Sequence, residues 1–348
     1  MPNRPAVRSA LALLVLCTAQ ASPAQSSSSA SLYGLVDLNV GQFQEAGGLK
    51  TRRLDANGLS QSFLGLRVVE DVGGGLKVRV LLEQYLRPDT GAAGRFGADP
   101  FWGRSANVGF QGAFGTSVIG RTATPLYQSA ALLNPFGDSF AFAPTLRHYF
   151  SGNGAGSGLG ETVLGDIVWN NSLAYSSPDY NGITYNLMAN LGEGGAGATG
   201  RNIGANIVYF RGPLAATVAW QQVRNGLVAA PAGFQHQSTL HLGLAYEFGP
   251  AKLFGQFGRI RTDAATQVDT RLWQLGSAIP IGQTGLARIS YGLAQIDNRI
   301  VDTSHSTFSI GYDHYLSKST DLYGAVVLDR ATGLAAGRSV SGGLRVRF

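Results

Sequence analysis

Few side chains in this 348-residue sequence are spaced for bond-making chemistry. The five histidines, His148, His236, His241, His305 and His314, show no metal-ligand spacing. No Ser–His pairing stands out among the many serines, and no cofactor is expected. The run Gly152 to Gly160 has spacings like those of a nucleotide loop, but it lacks the strand before and the helix after that a βαβ unit supplies. What remains is fixed charge. Arg67, Lys77, Arg79, Glu83 and Arg121 sit on short stretches of alternating residues, with a parity that could turn them to the polar side. Asp138, Glu161 and Asp166 sit in a long stretch without that alternation. Charges that face each other across a narrow, low-dielectric passage create a transverse field and filter ions by sign. Charges that merely face water do not.

Whether a passage exists depends on the elements carrying these charges. From Leu240, one face reads Leu240, Leu242, Leu244, Tyr246, Phe248 and the other His241, Gly243, Ala245, Glu247. Ile183 to Leu191 and Thr307 to Asp313 alternate in the same way. Period two marks a strand with one apolar face, and runs of about ten residues suit a tilted strand crossing a bilayer. The other face is small and polar, as a wet lumen requires, and the apolar face ends in Tyr, Trp and Phe, as interfacial girdles do. Trp102, Trp169, Trp220 and Trp273 are read as girdle anchors, and His241 as a lumen residue. Tight connections such as Gly73-Gly74-Gly75 and Gly249-Pro250-Ala251 alternate with long ones, an asymmetry that a soluble sandwich has no reason to show. The count is about sixteen strands. Such a wall must close on itself, because lipid offers no partner to an unpaired backbone edge. In the last strand Arg345 is too costly to face lipid, so its parity looks inward.

Composition agrees. Charged residues are only 14%, glycines number 48, and no mature apolar run is long enough for a membrane helix. Arg4 and Arg8 precede a short apolar core, Ala10 to Ala19, and small residues then allow cleavage after Ala21 or, preferably, Ala24. That makes 1–24 a signal peptide and 25–348 the mature barrel. Leu16 is too bulky for a lipidation box at Cys17, so the mature chain has no cysteine. Loss of the leader lowers the net charge from +6 to +4, too little for a nucleic-acid partner.

The longest interruption runs from about 122 to 168. It contains Thr124-Pro125-Leu126-Tyr127, Pro135-Phe136-Gly137-Asp138 and the glycine run, with no helical period long enough for a separate domain. A loop of that length is usually functional or disordered. We read it as folded into the lumen and narrowing it.

The ordered set of motifs resembles the general porins of Gram-negative bacteria, in their trimeric β-proteobacterial branch. Ser31-Leu32-Tyr33-Gly34-Leu35-Val36-Asp37 is similar to the first strand of that family. Leu64-Gly65-Leu66-Arg67 with Glu70-Asp71-Val72-Gly73-Gly74-Gly75-Leu76-Lys77 is similar to the second strand and first turn. Gly120-Arg121 with Thr124-Pro125 resembles the entry to its constriction loop, and Asn171-Ser172, Tyr175, Ser177-Pro178 and Gly182 resemble the exit. Asp313 to Thr320 and the terminal Phe348 resemble the last strands.

The resemblance implies an all-β, transmembrane antiparallel β-barrel of 16 strands, with a long third extracellular loop folded into the lumen. It implies a homotrimer in the bacterial outer membrane, in contact with lipid and lipopolysaccharide, passing ions and small hydrophilic solutes. Family members oppose a basic wall to acids on the loop. Arg104 stands where that wall has an arginine, and Asp138 is the acid in Pro135-Phe136-Gly137-Asp138; Glu161 and Asp166 are further loop candidates. Phe63 and Val168 stand where the family often has arginine, which implies weak charge selectivity. A substrate-selective porin, with Tyr127, Arg147, His148 and Tyr149 along a binding track, remains open, as do a barrel hydrolase and a secreted β-sandwich adhesin.

Overall fold

The computed structural model describes residues 28–150, 162–191, 201–224 and 230–348. The expected signal peptide, the glycine run and Glu161 lie outside them.

The alternating stretches are strands. The chain begins with β1 (Ser29–Phe43), β2 (Thr51–Ala56), β3 (Phe63–Gly73), β4 (Leu76–Arg87) and the short β5 (Ala92–Ala93). β6 (Ser105–Gly112) and β7 (Gly115–Ala123) lead into helices α1 (Pro125–Leu132) and α2 (Pro144–Phe150). There follow β8 (Val168–Ser176), β9 (Ile183–Asn190), β10 (Ile203–Arg211), β11 (Leu214–Val223), β12 (His236–Glu247) and β13 (Lys252–Asp263). β14 (Val268–Ile281), β15 (Gly285–Asp297), β16 (Asp302–Tyr315), β17 (Thr320–Ala331) and β18 (Gly337–Arg347) complete the chain.

β2 pairs with the end of β1 and β3 with its beginning, so they are two halves of one wall strand. β5 only folds back on the end of β4. The wall therefore has the sixteen antiparallel strands expected, and β1 pairs with β18 to close it. Closure leaves no free sheet edge, which is what lets the backbone sit in lipid. The break between β2 and β3 serves a buried acid. The backbone N–H groups of Gly58 and Ser60 donate to Asp37 at 3.2 and 2.9 Å, and the Tyr323 hydroxyl donates to it from the far side of the seam.

The strands bury their polar side. On β12, Thr239 and His241 are buried while Leu240, Leu242, Leu244 and Tyr246 are exposed. Arg345 points inward as its parity required and donates to Asp321. Trp220 and Trp273 face outward, as girdle anchors should. Trp169 does not. It is buried beneath the long loop, with Nε1 donating to the Gly165 carbonyl at 2.7 Å.

The loop between β7 and β8 lies inside the barrel. Thr124 caps α1, its hydroxyl accepting from the Tyr127 N–H, and Pro125 fills the first turn, where no N–H is needed. Leu126, Phe136, Phe142, Leu146, Tyr149 and Phe150 form a core with Ile260, Leu272 and Ala294 of the wall. The wall makes room with inward glycines on successive strands. A Cβ at Gly258, Gly276 or Gly292 would collide with Tyr149, Pro135 or Pro144 respectively, and one at Gly243 or Gly311 would crowd Leu133 or Phe136.

Wall glutamines satisfy the backbone groups that the loop's short helices leave free. Gln256 on β13 donates to the carbonyls of Ala130 and Leu133 at 2.9 and 2.7 Å. Gln274 on β14 accepts from the Thr145 N–H at 2.9 Å, and Gln237 on β12 bonds Thr162 and Leu164.

Candidate functional site: the lumenal aperture

Three neighbouring segments bring charge to one side of the lumen. Glu83 on β4 accepts from the Tyr33 hydroxyl of β1 at 2.6 Å and pairs with Arg104, which immediately precedes β6. The Arg104 guanidinium lies 4.1 Å from the Phe63 ring centroid, and Arg67 lies 4.9 Å from that of Tyr33. Phe63 is therefore a platform for the wall arginine rather than a charge of its own. Arg79, on the parity of Glu83, completes the group and is close enough to feel Arg67 and Glu83 electrostatically. Lys77 is exposed beside the short turn, towards the vestibule.

The loop tip adds an acid. Asp138 is half-buried and makes no hydrogen bond or ion pair among the described residues, yet its charge acts on Arg104. Its position is fixed by its neighbours. Phe136 is buried, Gly137 adopts φ 59° with open space where a Cβ would be, and the Asn134 side chain accepts from the Phe136 N–H at 2.9 Å. Arg288 of β15 clamps the tip to the wall, donating to the Pro135 carbonyl at 2.6 Å and to Asp313 at 2.7 Å. This tether was not apparent from the sequence, although Arg288 has the inward parity on its strand.

Arg121 and Asp166 lie elsewhere. Arg95 makes paired hydrogen bonds to Asp99, at 2.9 and 2.9 Å, and to Asp166, at 2.7 and 3.1 Å. Arg121 lies 3.7 Å from both acids and donates to the Gly103 carbonyl and Asn170. This buried network joins the β4–β6 loop to the exit of the long loop. Burial alone would raise the Asp99 carboxyl, but the hydrogen bonds and charge of Arg95 hold it below the usual range. Val168 is 3% exposed in the core under the loop, so an arginine there would not face the aperture.

A second anchor was also missed. His148 and His305 stack at 4.3 Å between α2 and β16. His305 bonds Asp329 at 2.8 Å and His148 bonds Thr307 at 3.0 Å, while Arg147 reaches Asp329 and Glu45. The neighbouring Tyr149 hydroxyl bonds His241 at 3.2 Å. Burial, and then the nearby charges of His305 and Arg147, hold the His148 imidazole well below its ordinary value. The released loop therefore binds a proton more readily than the docked one. Docking loses stability as pH falls below about 6.5. Single-channel recordings should show more open-channel noise at pH 5 than at pH 7, and His148→Gln should remove the difference. Noise independent of pH in the wild type would contradict this anchor.

The profile of the Gram-negative porin family matches residues 10–334. An outer membrane porin protein 32 of Delftia acidovorans is 32% identical over 326 residues, covering 91% of this chain and 88% of that protein. The structure of an anion-selective porin from Comamonas acidovorans superposes with a TM-score of 0.77 at 28% identity, over 92% of this chain and all of the other. A trimer form of OmpT, an outer membrane protein of Vibrio cholerae, shares the fold at a TM-score of 0.71 and 15% identity, over 92% of this chain and 99% of that one. The closed antiparallel barrel is thus matched by both sequence and shape. The chain belongs to the Gram-negative porin family and forms an outer-membrane channel for passive diffusion of ions and small hydrophilic solutes.

Proposed function

We propose that the gap between Arg67, Arg79 and Arg104 on the wall and Asp138 on the loop is the selectivity filter of a homotrimeric porin seated among lipid and lipopolysaccharide. It passes small anions in modest preference to cations. The supporting observation is the shared arginine. Arg104 is engaged by Glu83 and also feels the charge of Asp138, so part of the wall's positive charge is cancelled. The similarity to an anion-selective porin supports the sign of the preference.

Reversal potential in a salt gradient tests it. Asp138→Asn should strengthen the anion preference, and Arg104→Gln should abolish or invert it. If both leave the reversal potential unchanged, the filter lies elsewhere.

One feature favours substrate selection as a second reading. The outer vestibule holds a hollow of about 460 Å³ lined by Arg53, Arg87, Arg147, Asp55 and Phe142 among others. Arg147 of the expected track lines it, whereas Tyr127, His148 and Tyr149 do not. Current block that saturates at low concentrations of an organic anion would favour this reading.

A further inference from the structure

The hollow of the outer vestibule lies between the β1–β2 hairpin, the β4–β5 turn and the inward loop. The cations Arg53, Arg87, Arg95 and Arg147 and the acids Glu45, Asp55 and Asp89 line it. Pairing within the protein accounts for most of them. Arg53 bonds Asp55 at 2.8 Å, and Arg95 is held by Asp99 and Asp166. Arg147 lies 3.5 Å from Glu45 and 3.8 Å from Asp329. Arg87 and Asp89 are left over. Among the described residues the Arg87 guanidinium donates only to the Ala93 carbonyl, at 3.2 Å, and its Nε has no partner. The Asp89 side chain makes no hydrogen bond or ion pair among them, although its Oδ1 is shielded from water. It is close enough to Asp55 to act on that acid electrostatically. Arg87 and Asp89 border the same space and do not pair with each other. What the protein leaves unanswered there is one cation and one acid.

Such a remainder selects the solute. A simple carboxylate would answer Arg87 and leave Asp89 bare, and a simple amine would do the reverse. Buried polar groups without partners are costly, so neither fits well. A molecule carrying an ammonium and a carboxylate on one carbon answers both. Its side chain also has apolar surface to meet. Phe140 and Phe142 of the inward loop line the hollow, and so does Leu49, which is 89% exposed. The Phe43 ring is already covered by the Arg53 guanidinium, 4.4 Å from its centroid. A volume of about 460 Å³ is that of a small-molecule pocket. Phe140 follows Asp138 closely in the chain, so an occupant rests on the loop segment next to the acid of the aperture.

We propose that this hollow is a binding site for a free α-amino acid with an apolar side chain, held on its way to the aperture. The inference rests on the substrate-selection reading and names its class of solute. Block of single-channel current at pH 7 and fixed salt tests it. The probes are L-phenylalanine, 3-phenylpropionate, which lacks the ammonium, and phenethylamine, which lacks the carboxylate. Block by L-phenylalanine should saturate, with binding about tenfold or more tighter than either analogue, the scale of a lost charge-assisted hydrogen bond. Asp89→Asn should remove the advantage over 3-phenylpropionate and leave block by 3-phenylpropionate itself in place, which also shows that the variant folds. Arg87→Gln should remove the advantage over phenethylamine and leave block by phenethylamine in place. Equal block of the wild type by L-phenylalanine and 3-phenylpropionate would overturn the amino acid as occupant while leaving substrate selection standing. An advantage of L-phenylalanine that survives both substitutions would overturn the assignment to this hollow. No block by any probe would overturn it and count against substrate selection as well, whereas the charge filter is judged separately by reversal potential.

Discussion

Replacing Gly292 with leucine should narrow the channel. Gly292 faces the lumen under the first residue of α2, and a Cβ built there lies 2.4 Å from the Pro144 Cβ, with its three nearest atoms all belonging to Pro144. Carbon atoms need about 3.5–4.0 Å. The wall strand is held by its ladders to β14 and β16, whereas the loop is held by side-chain contacts, so the loop moves. It is tethered at both ends, by Thr124 to Ile167 and by the Arg95 network, and its free direction is across the lumen. Overpacking of this kind costs roughly 1–3 kcal/mol. Gly258→Leu should act in the same sense through Tyr149, whose atoms are the nearest that a Cβ there would meet. Single-channel conductance should fall in each variant and further in the double, while the barrel still migrates as a folded species. Unchanged conductance in the double variant would show that the loop does not rest on this glycine track.

Much of this arrangement was legible because lipid imposes a simple rule. Apolar side chains face out and small polar ones face in, so alternation gave the wall, Arg345 gave its direction and the long break gave the loop. The pairings inside the lumen were not legible. A glycine is compatible with a turn, a bulge or a close approach, and nothing local distinguishes Gly292 from the glycines of the turns. Arg95 and Asp166 are 71 positions apart and meet only because the β4–β6 loop folds over the long one.

Arg121 and Trp169 failed for a more specific reason. The ladder between β7 and β8 shifts register between Gly120 and Thr122, and Gly120 has φ 126°, so counting by twos stops at that point. A bulge re-aims the side chains beside it. Both residues turn into the packing under the loop, where Arg121 meets Asp99 and Asp166.

That packing gives the largest expected loss of stability, from Arg95→Met. The side chains of Arg95, Asp99 and Asp166 are 1%, 0% and 2% exposed, so methionine would leave two buried carboxylates with Arg121 alone, 3.7 Å from each. Breaking a buried pair by removing one partner costs roughly 3–5 kcal/mol, because the remaining charge is neither solvated nor paired. The effect should be local at first. Hydrogen exchange should accelerate at residues 95–103 and 162–167, and the unfolding temperature should drop, while the wall ladders stay protected. Adding Asp99→Asn and Asp166→Asn to Arg95→Met removes the stranded carboxylates and should restore part of the loss, the remainder persisting because Arg121 then has no acid to pair with. The Asp99 carboxyl is depressed in the folded protein, so its contribution is present above about pH 3.9 and is lost as pH falls further. The wild type should therefore show an acid-dependent loss of protection at 95–103 that the triple variant lacks. If Arg95→Met alone melts and exchanges like the wild type, the network contributes nothing to holding the two loops together.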